Sequence, residues 1–189
     1  MVRIVDTRAE HIDDILRIEQ QCFSLPWTRE QLTAQMTDSM HVFLAAEAEN
    51  GRAVGYVGLM YVLDEGYISN VAVSQDRRRE GIADMLLDEL RARAEAAKLN
   101  FLTLEVRLGN VPAQSLYKKH GYIEVGRRKG YYSLPKEDAV LMTCFLSEEE
   151  KCKYLPLNHP ATRPPSPSLK TAEMCLRIRY SRRPTCTPF

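Results

Sequence analysis

The 189-residue chain has no uninterrupted apolar run of the roughly 18 residues that a membrane helix requires. Its opening segment, Met1 to Glu10, is charged from the outset and lacks the apolar stretch of a secretory leader. With no span and no leader, the expectation is a cytoplasmic protein without a membrane partner. Cysteine is sparse and odd in number: Cys22, Cys144, Cys152, Cys175 and Cys186 include no C-x-x-C pair and no histidine-rich companion. That argues against a zinc site or a disulfide framework and for reduced, structural thiols, so no metal is expected. There is a single tryptophan, Trp27, and no internal repeat.

What is present divides unevenly. Residues 151–189 carry eight cations against one anion, Glu173, which leaves 18 cations and 24 anions in residues 1–150. Seven of the ten prolines also fall beyond Leu155, where hydrophobic periodicity fades. The sequence therefore predicts one domain over residues 1–147 and a basic, Pro- and Arg-rich, disordered tail over 148–189.

Within the first part, Val2–Val5 reads as a strand and Ala9–Cys22 as a helix with Ile12, Ile15, Leu16 and Ile18 on its apolar side. Phe23 to Trp27 interrupts the pattern. Thr28 and Gln31 then form a capping box for a second helix to about Met36. Strands His41–Ala48 and Ala53–Val62 flank a turn at Asn50-Gly51, and Gly66–Val73 follows as a third strand. A helix from Gly81 to about Lys98 shows an apolar stripe at Ile82, Met85, Leu86 and Leu90. Next come a strand over Asn100–Val106, a helix over Val111–His120, a left-handed terminator at Gly121, and strands over Tyr122–Tyr132 and Asp138–Phe145. This order predicts an α/β fold with a mixed sheet rather than repeated βαβ units.

The most informative segment is Arg77-Arg78-Arg79 directly before a helix N-terminus. A helix start already carries about half a positive charge, so cations there are unfavourable unless an anion joins them. Exposed main-chain N–H groups and a glycine at 81 suit such an anion. A solvated basic loop explains the charges alone equally well.

Arg78-Arg79-Glu80-Gly81-Ile82-Ala83, following the strand Val71-Ala72-Val73, resembles the pyrophosphate loop of the GNAT superfamily. Across residues 1–146 the chain is similar to the RimI group of that superfamily, the ribosomal-protein-alanine N-acetyltransferases. The similarity rests on Phe23-Ser24 with Pro26-Trp27, Leu104-Glu105-Val106-Arg107 with Asn110, Leu116-Tyr117 with Gly121-Tyr122, Arg127-Arg128 with Tyr131-Tyr132, and Asp138-Ala139. The resemblance implies the GNAT fold, a mixed sheet of about seven strands with about four helices, and acetyl-CoA as co-substrate. It implies that Val71, Ala72 and Val73 lend strand backbone to the pantetheine arm and the acetyl carbonyl. Arg78 opens the pyrophosphate motif, Arg79, Glu80, Gly81, Ile82, Ala83 and Asp84 supply main-chain donors, and Asn110 touches the cofactor. Glu105 is implied as proton acceptor and Tyr117 as proton donor.

Those roles agree with elementary chemistry. An α-amino group of pKa about 7.7–8.0 needs only a modest base to become nucleophilic, whereas a lysine at about 10.4 needs more. Strand alternation sets Glu105 on the face opposite Leu102, Leu104 and Val106. No cysteine stands near Glu105 or Tyr117 to act as a covalent nucleophile. Trp27, Tyr131 and Tyr132 are candidates for walling the acceptor side, with core packing as the rival reading. The implied partner is the N-terminus of a ribosomal protein, the alanine of the eighteenth small-subunit protein. Alternatives are a lysine or small-amine acetyltransferase and a catalytically silent CoA- or ribosome-binding module. The cationic tail could meet RNA phosphates, but it has no RNA-binding signature, and a dispensable extension ranks above that role.

Overall fold

A computed structural model of the protein describes residues 1–147; the tail expected over 148–189 lies outside the described residues. Strand β1 is Val2–Asp6, helix α1 Ile12–Cys22, helix α2 Arg29–Thr37, and strands β2, β3 and β4 are His41–Ala48, Ala53–Val62 and Glu65–Val73. Helix α3 (Ile82–Ala96), strand β5 (Phe101–Arg107), helix α4 (Val111–Lys119) and strands β6 (Ile123–Ser133) and β7 (Lys136–Phe145) complete the described order. These elements are the predicted ones, in the predicted sequence.

Local signals act where they were read. Thr28 Oγ1 accepts from the Gln31 backbone N–H at 3.3 Å while Gln31 Oε1 accepts from that of Thr28 at 2.9 Å, the reciprocal capping box. Gly51 takes φ +77° in the β2–β3 turn and Gly121 takes φ +82° after α4. Helix α1 starts three residues later than expected. Ala9–His11 forms a single 3-10 turn instead, because Arg8 and His11 are drawn to the buried carboxylate of Glu47 on β2. In α3 the buried stripe is Ile82, Leu86, Leu87, Leu90 and Ala94, while Met85 lies at the surface. A stripe read from hydrophobicity alone does not separate neighbouring Met85 and Leu87; packing does.

The seven strands form one mixed sheet in the order β1-β2-β3-β4-β5-β7-β6. One core lies between the sheet and α3 and α4, and includes Leu44, Val57, Leu86, Leu90, Leu102, Leu104, Val106 and Tyr117. A second lies beneath α1 and α2, and includes Ile15, Ile18, Leu32, Phe43, Tyr56 and Ala72. Nearly all pairs are antiparallel; β4 and β5, joined through α3, are parallel. They pair only at Glu65–Phe101, Gly66–Leu102 and Tyr67–Thr103. Beyond those residues the two strands diverge toward their C-terminal ends. Val71–Val73 edge one side of the resulting cleft in the sheet and Glu105 the other. Parallel strands that part at their C-terminal ends leave backbone groups free for a ligand, as at the crevices of open α/β sheets.

Candidate active site

The loop after β4 carries the phosphate-turn sequence. Arg79 takes φ +68° and Gly81 φ +78°, so two left-handed residues flank Glu80 and curl the chain before α3. Gly81 is the N-cap of α3 and provides no side-chain cap, which leaves the first-turn N–H groups without that partner. A Cβ built at Gly81 would meet nothing within 4 Å, so the space in front of the turn is open to a ligand. A diphosphate needs these same features: converging amides, the positive end of a helix and no side chain in the way.

Two of the three arginines have partners within the protein. Arg77 is paired with Glu80 at 2.8 Å. The Arg78 guanidinium turns back toward the Val73 carbonyl at 3.4 Å and Cys22 Sγ at 3.3 Å. In the first turn of α3, Ile82 is buried and Ala83 half-buried. Asp84 bonds Lys119 Nζ at 2.5 Å and His120 Nε2 at 2.9 Å, and the Lys119 ammonium above all holds its carboxyl below the usual range.

Across the cleft, the side chain of Glu105 is one-fifth exposed and stands 3.4 Å from the Arg128 guanidinium of β6. Its backbone carbonyl accepts from the Tyr132 hydroxyl at 3.1 Å. Asn110 caps α4, its Oδ1 accepting from the Ala113 N–H at 3.2 Å. Tyr117 sits on α4 within the core shared with Leu104 and Val106, its ring 5.7 Å from that of Tyr122. Burial pushes its phenol up to about 12. Glu105 and Tyr117 therefore belong to opposite faces of the sheet.

The segments above Glu105 meet through Arg107, two residues along the same face of β5. Its guanidinium donates to the Leu134 carbonyl at 2.8 Å, the Pro135 carbonyl at 3.2 Å, Glu137 Oε2 at 2.9 Å and Ser24 Oγ at 3.4 Å. It also lies 4.2 Å from the centroid of the Tyr132 ring. Glu137 accepts the Gly109 N–H at 2.6 Å, and Ser24 donates to the Leu134 carbonyl at 2.6 Å. One side chain thus links the α1–α2 loop, the β6–β7 turn and the end of β5. Tyr131 and Tyr132 meet edge to face at 5.0 Å, while Trp27 stacks on Phe43 with ring centroids 6.4 Å apart. Trp27 is accordingly half-buried in the α1–α2 core rather than simply a wall of a channel.

Three buried acids on the α1 side, Asp14, Glu19 and Glu47, escaped the sequence reading. Glu19, fully buried at the end of α1, accepts hydrogen bonds from the Trp27 N–H at 2.7 Å, from Asn70 Nδ2 at 2.8 Å and from the Tyr56 hydroxyl. Glu47 accepts from Arg3, Arg8 and His11. Glu10, His11 and Glu47 lie close enough to ligate an ion, but the two arginines on Glu47 make the group an ion-pair network. The available signal was periodicity: Glu19, four residues after Ile15 on a helix, and Glu47, two after Ala45 on a strand, sit where an apolar residue would continue the core pattern.

Comparison with known proteins agrees with this geometry. The acetyltransferase (GNAT) family pattern matches residues 12–122. The [ribosomal protein bS18]-alanine N-acetyltransferase of Escherichia coli K12 is 31% identical over 132 residues, covering 69% of this chain and 88% of that protein. The crystal structure of the ribosomal-protein-S18-alanine N-acetyltransferase from Escherichia coli superposes with a TM-score of 0.71 at 28% identity, over 78% of this chain and 95% of that one. Arabidopsis thaliana NAA60 in complex with acetyl-CoA shares the fold, with a TM-score of 0.71 at 20% identity over 77% and 99% of the two chains. Its pattern of residues, its split sheet and its relatives agree: the chain belongs to the GNAT family of acetyltransferases and groups there with the ribosomal-protein-alanine N-acetyltransferases.

Proposed function

We propose that the protein transfers an acetyl group from acetyl-CoA to the N-terminal α-amine of a protein in the cytoplasm, its acceptor being the N-terminal alanine of ribosomal protein bS18. The observation that carries this reading is the split between β4 and β5, with a carboxylate on one face of the opening and a buried phenol on the other. The curated relative's action on bS18 supports the choice of acceptor. In described residues, no helix is long and apolar enough to cross a membrane.

The residues divide the work by position. Amides of Arg79 to Asp84 hold the pyrophosphate, and the free edge of Val71–Val73 orients the arm that follows it. Asn110, already spent on capping α4, lies beside that arm. Bound acetyl-CoA supplies the activated acyl group at the cleft. Glu105 takes the proton that the attacking amine must shed, from the face on which the α1–α2 loop and the β6–β7 turn converge. Because an α-amine is substantially neutral near pH 8, a carboxylate suffices as acceptor. Tyr117, kept neutral by burial, gives its proton to the departing sulfur from the opposite face. Removing a proton on one face and returning one on the other avoids a collision of the two groups.

The test is direct. The full chain, acetyl-CoA and a peptide beginning Ala-Arg are incubated beside an N-blocked, lysine-containing version of the same peptide, and both are read by mass spectrometry. A gain of one acetyl group on the free α-amine alone is the expected result; acetylation of the blocked peptide instead would overturn it.

A further inference from the structure

Glu19 stands where an acid is costly. It is fully buried, and its partners are neutral: the Trp27 N–H, the Asn70 amide and the Tyr56 hydroxyl. Burial raises its pKa for want of a compensating cation. Such a group is more expensive than an apolar residue of similar size, so it calls for a role beyond filling space.

Its three partners come from separate segments. Trp27 belongs to the loop between α1 and α2. Asn70 lies on β4 one residue before Val71, in the half of the strand that has left β5. Tyr56 lies on β3 opposite Ala72, and Asn70 also donates to its hydroxyl at 3.0 Å. One carboxylate thus bridges the loop and the strand edge across which the two substrates must meet. The loop is held also by Ser24, through Leu134 and Arg107 at the surface, and by the stack of Trp27 on Phe43. Glu19 is the buried anchor.

Resting on the acceptor reading above, we infer that Glu19 is a positioning residue, fixing the 23–28 loop against β4 and thereby setting the affinity for the peptide acceptor without touching either substrate. An acid is suited to this because it accepts from three donors at once, which a glutamine amide cannot do without turning an N–H toward one of them.

The single tryptophan of the chain reports on the loop independently of activity. In the full-length protein, Glu19→Gln is expected to raise acrylamide quenching of Trp27 at least about twofold. It should raise the peptide KM about tenfold, with acetyl-CoA affinity unchanged and kcat altered far less. Tyr56→Phe, which removes one donor and keeps the ring, should move both readouts in the same direction by less. Thermal melts accompany each variant. Unaltered quenching, or an unaltered peptide KM in a variant that melts at a lower temperature, overturns the proposal and leaves Glu19 a packing residue. A wild-type chain inert toward every peptide overturns the acceptor reading and this kinetic claim together, whereas an active wild type with an indifferent Glu19→Gln overturns this claim alone.

Discussion

The two sides of the sheet opening are built on different principles. The proposed cofactor side is local: a strand edge, two left-handed residues and a helix start, all within Val71 to Asp84. The acceptor side is assembled from side chains distant in sequence. Arg107 gathers Ser24, Leu134, Pro135 and Glu137, and Glu19 gathers Trp27, Tyr56 and Asn70. Backbone recognition suits a co-substrate that never varies. Side-chain networks suit a surface whose shape selects among protein ends, since one substitution can re-aim a loop without disturbing the phosphate turn.

The sharpest way to break that contrast is at the chemistry itself. Glu105→Gln should lower kcat by about a hundredfold or more and leave acetyl-CoA binding by calorimetry nearly unchanged. Loss of acetyl-CoA binding instead would return Glu105 to the cofactor side. Tyr117→Phe should slow CoA release about tenfold to a hundredfold. A pH series on the wild type sharpens its role, because burial raises the phenol from an ordinary value of 10 to about 12. The rate should therefore climb as the acceptor amine loses its proton and show no decline through pH 10, where an unperturbed tyrosine would be half ionised. A fall centred near pH 10 that persists in Tyr117→Phe would show that the group responsible is not Tyr117.

Smaller effects test the division of labour. Gly81→Ala should weaken acetyl-CoA binding about tenfold, since a left-handed residue with a Cβ costs about 1–2 kcal/mol. The Cβ itself meets no protein atom within 4 Å, so a loss of this kind reports on the turn and its ligand rather than on a clash. Arg107→Lys keeps a charge but loses the planar fork and the ring stack, and should raise the peptide KM about threefold to tenfold while sparing acetyl-CoA affinity. Equal losses for both substrates would erase the distinction between the two sides.

The elements were legible because their signals are local. Thr28 with Gln31, Gly51 and Gly121 each act over two to four residues, and each takes the predicted conformation. Of the candidate site, Gly81 stands at the start of α3, Glu105 on β5, Asn110 at the N-cap of α4 and Tyr117 on α4. The arginine triplet was legible only as charge. Its charge suggested three cations around an anion, but Arg77 answers Glu80 and Arg78 answers Val73 and Cys22. Hidden altogether were Glu19 and Glu47, whose burial depends on partners 51 and 44 residues away.

By itself, then, the sequence determined the order of strands and helices and the position of the glycine turn before α3, because propensity, capping and glycine geometry act between near neighbours. Only the tertiary structure decided that β4 and β5 pair for three residues and then part, that Glu105 and Tyr117 flank the opening from opposite faces, and that Arg107 and Glu19 tie the acceptor loops down. Those outcomes depend on which distant groups can satisfy one another once water is excluded, and that is settled by packing rather than by spacing along the chain.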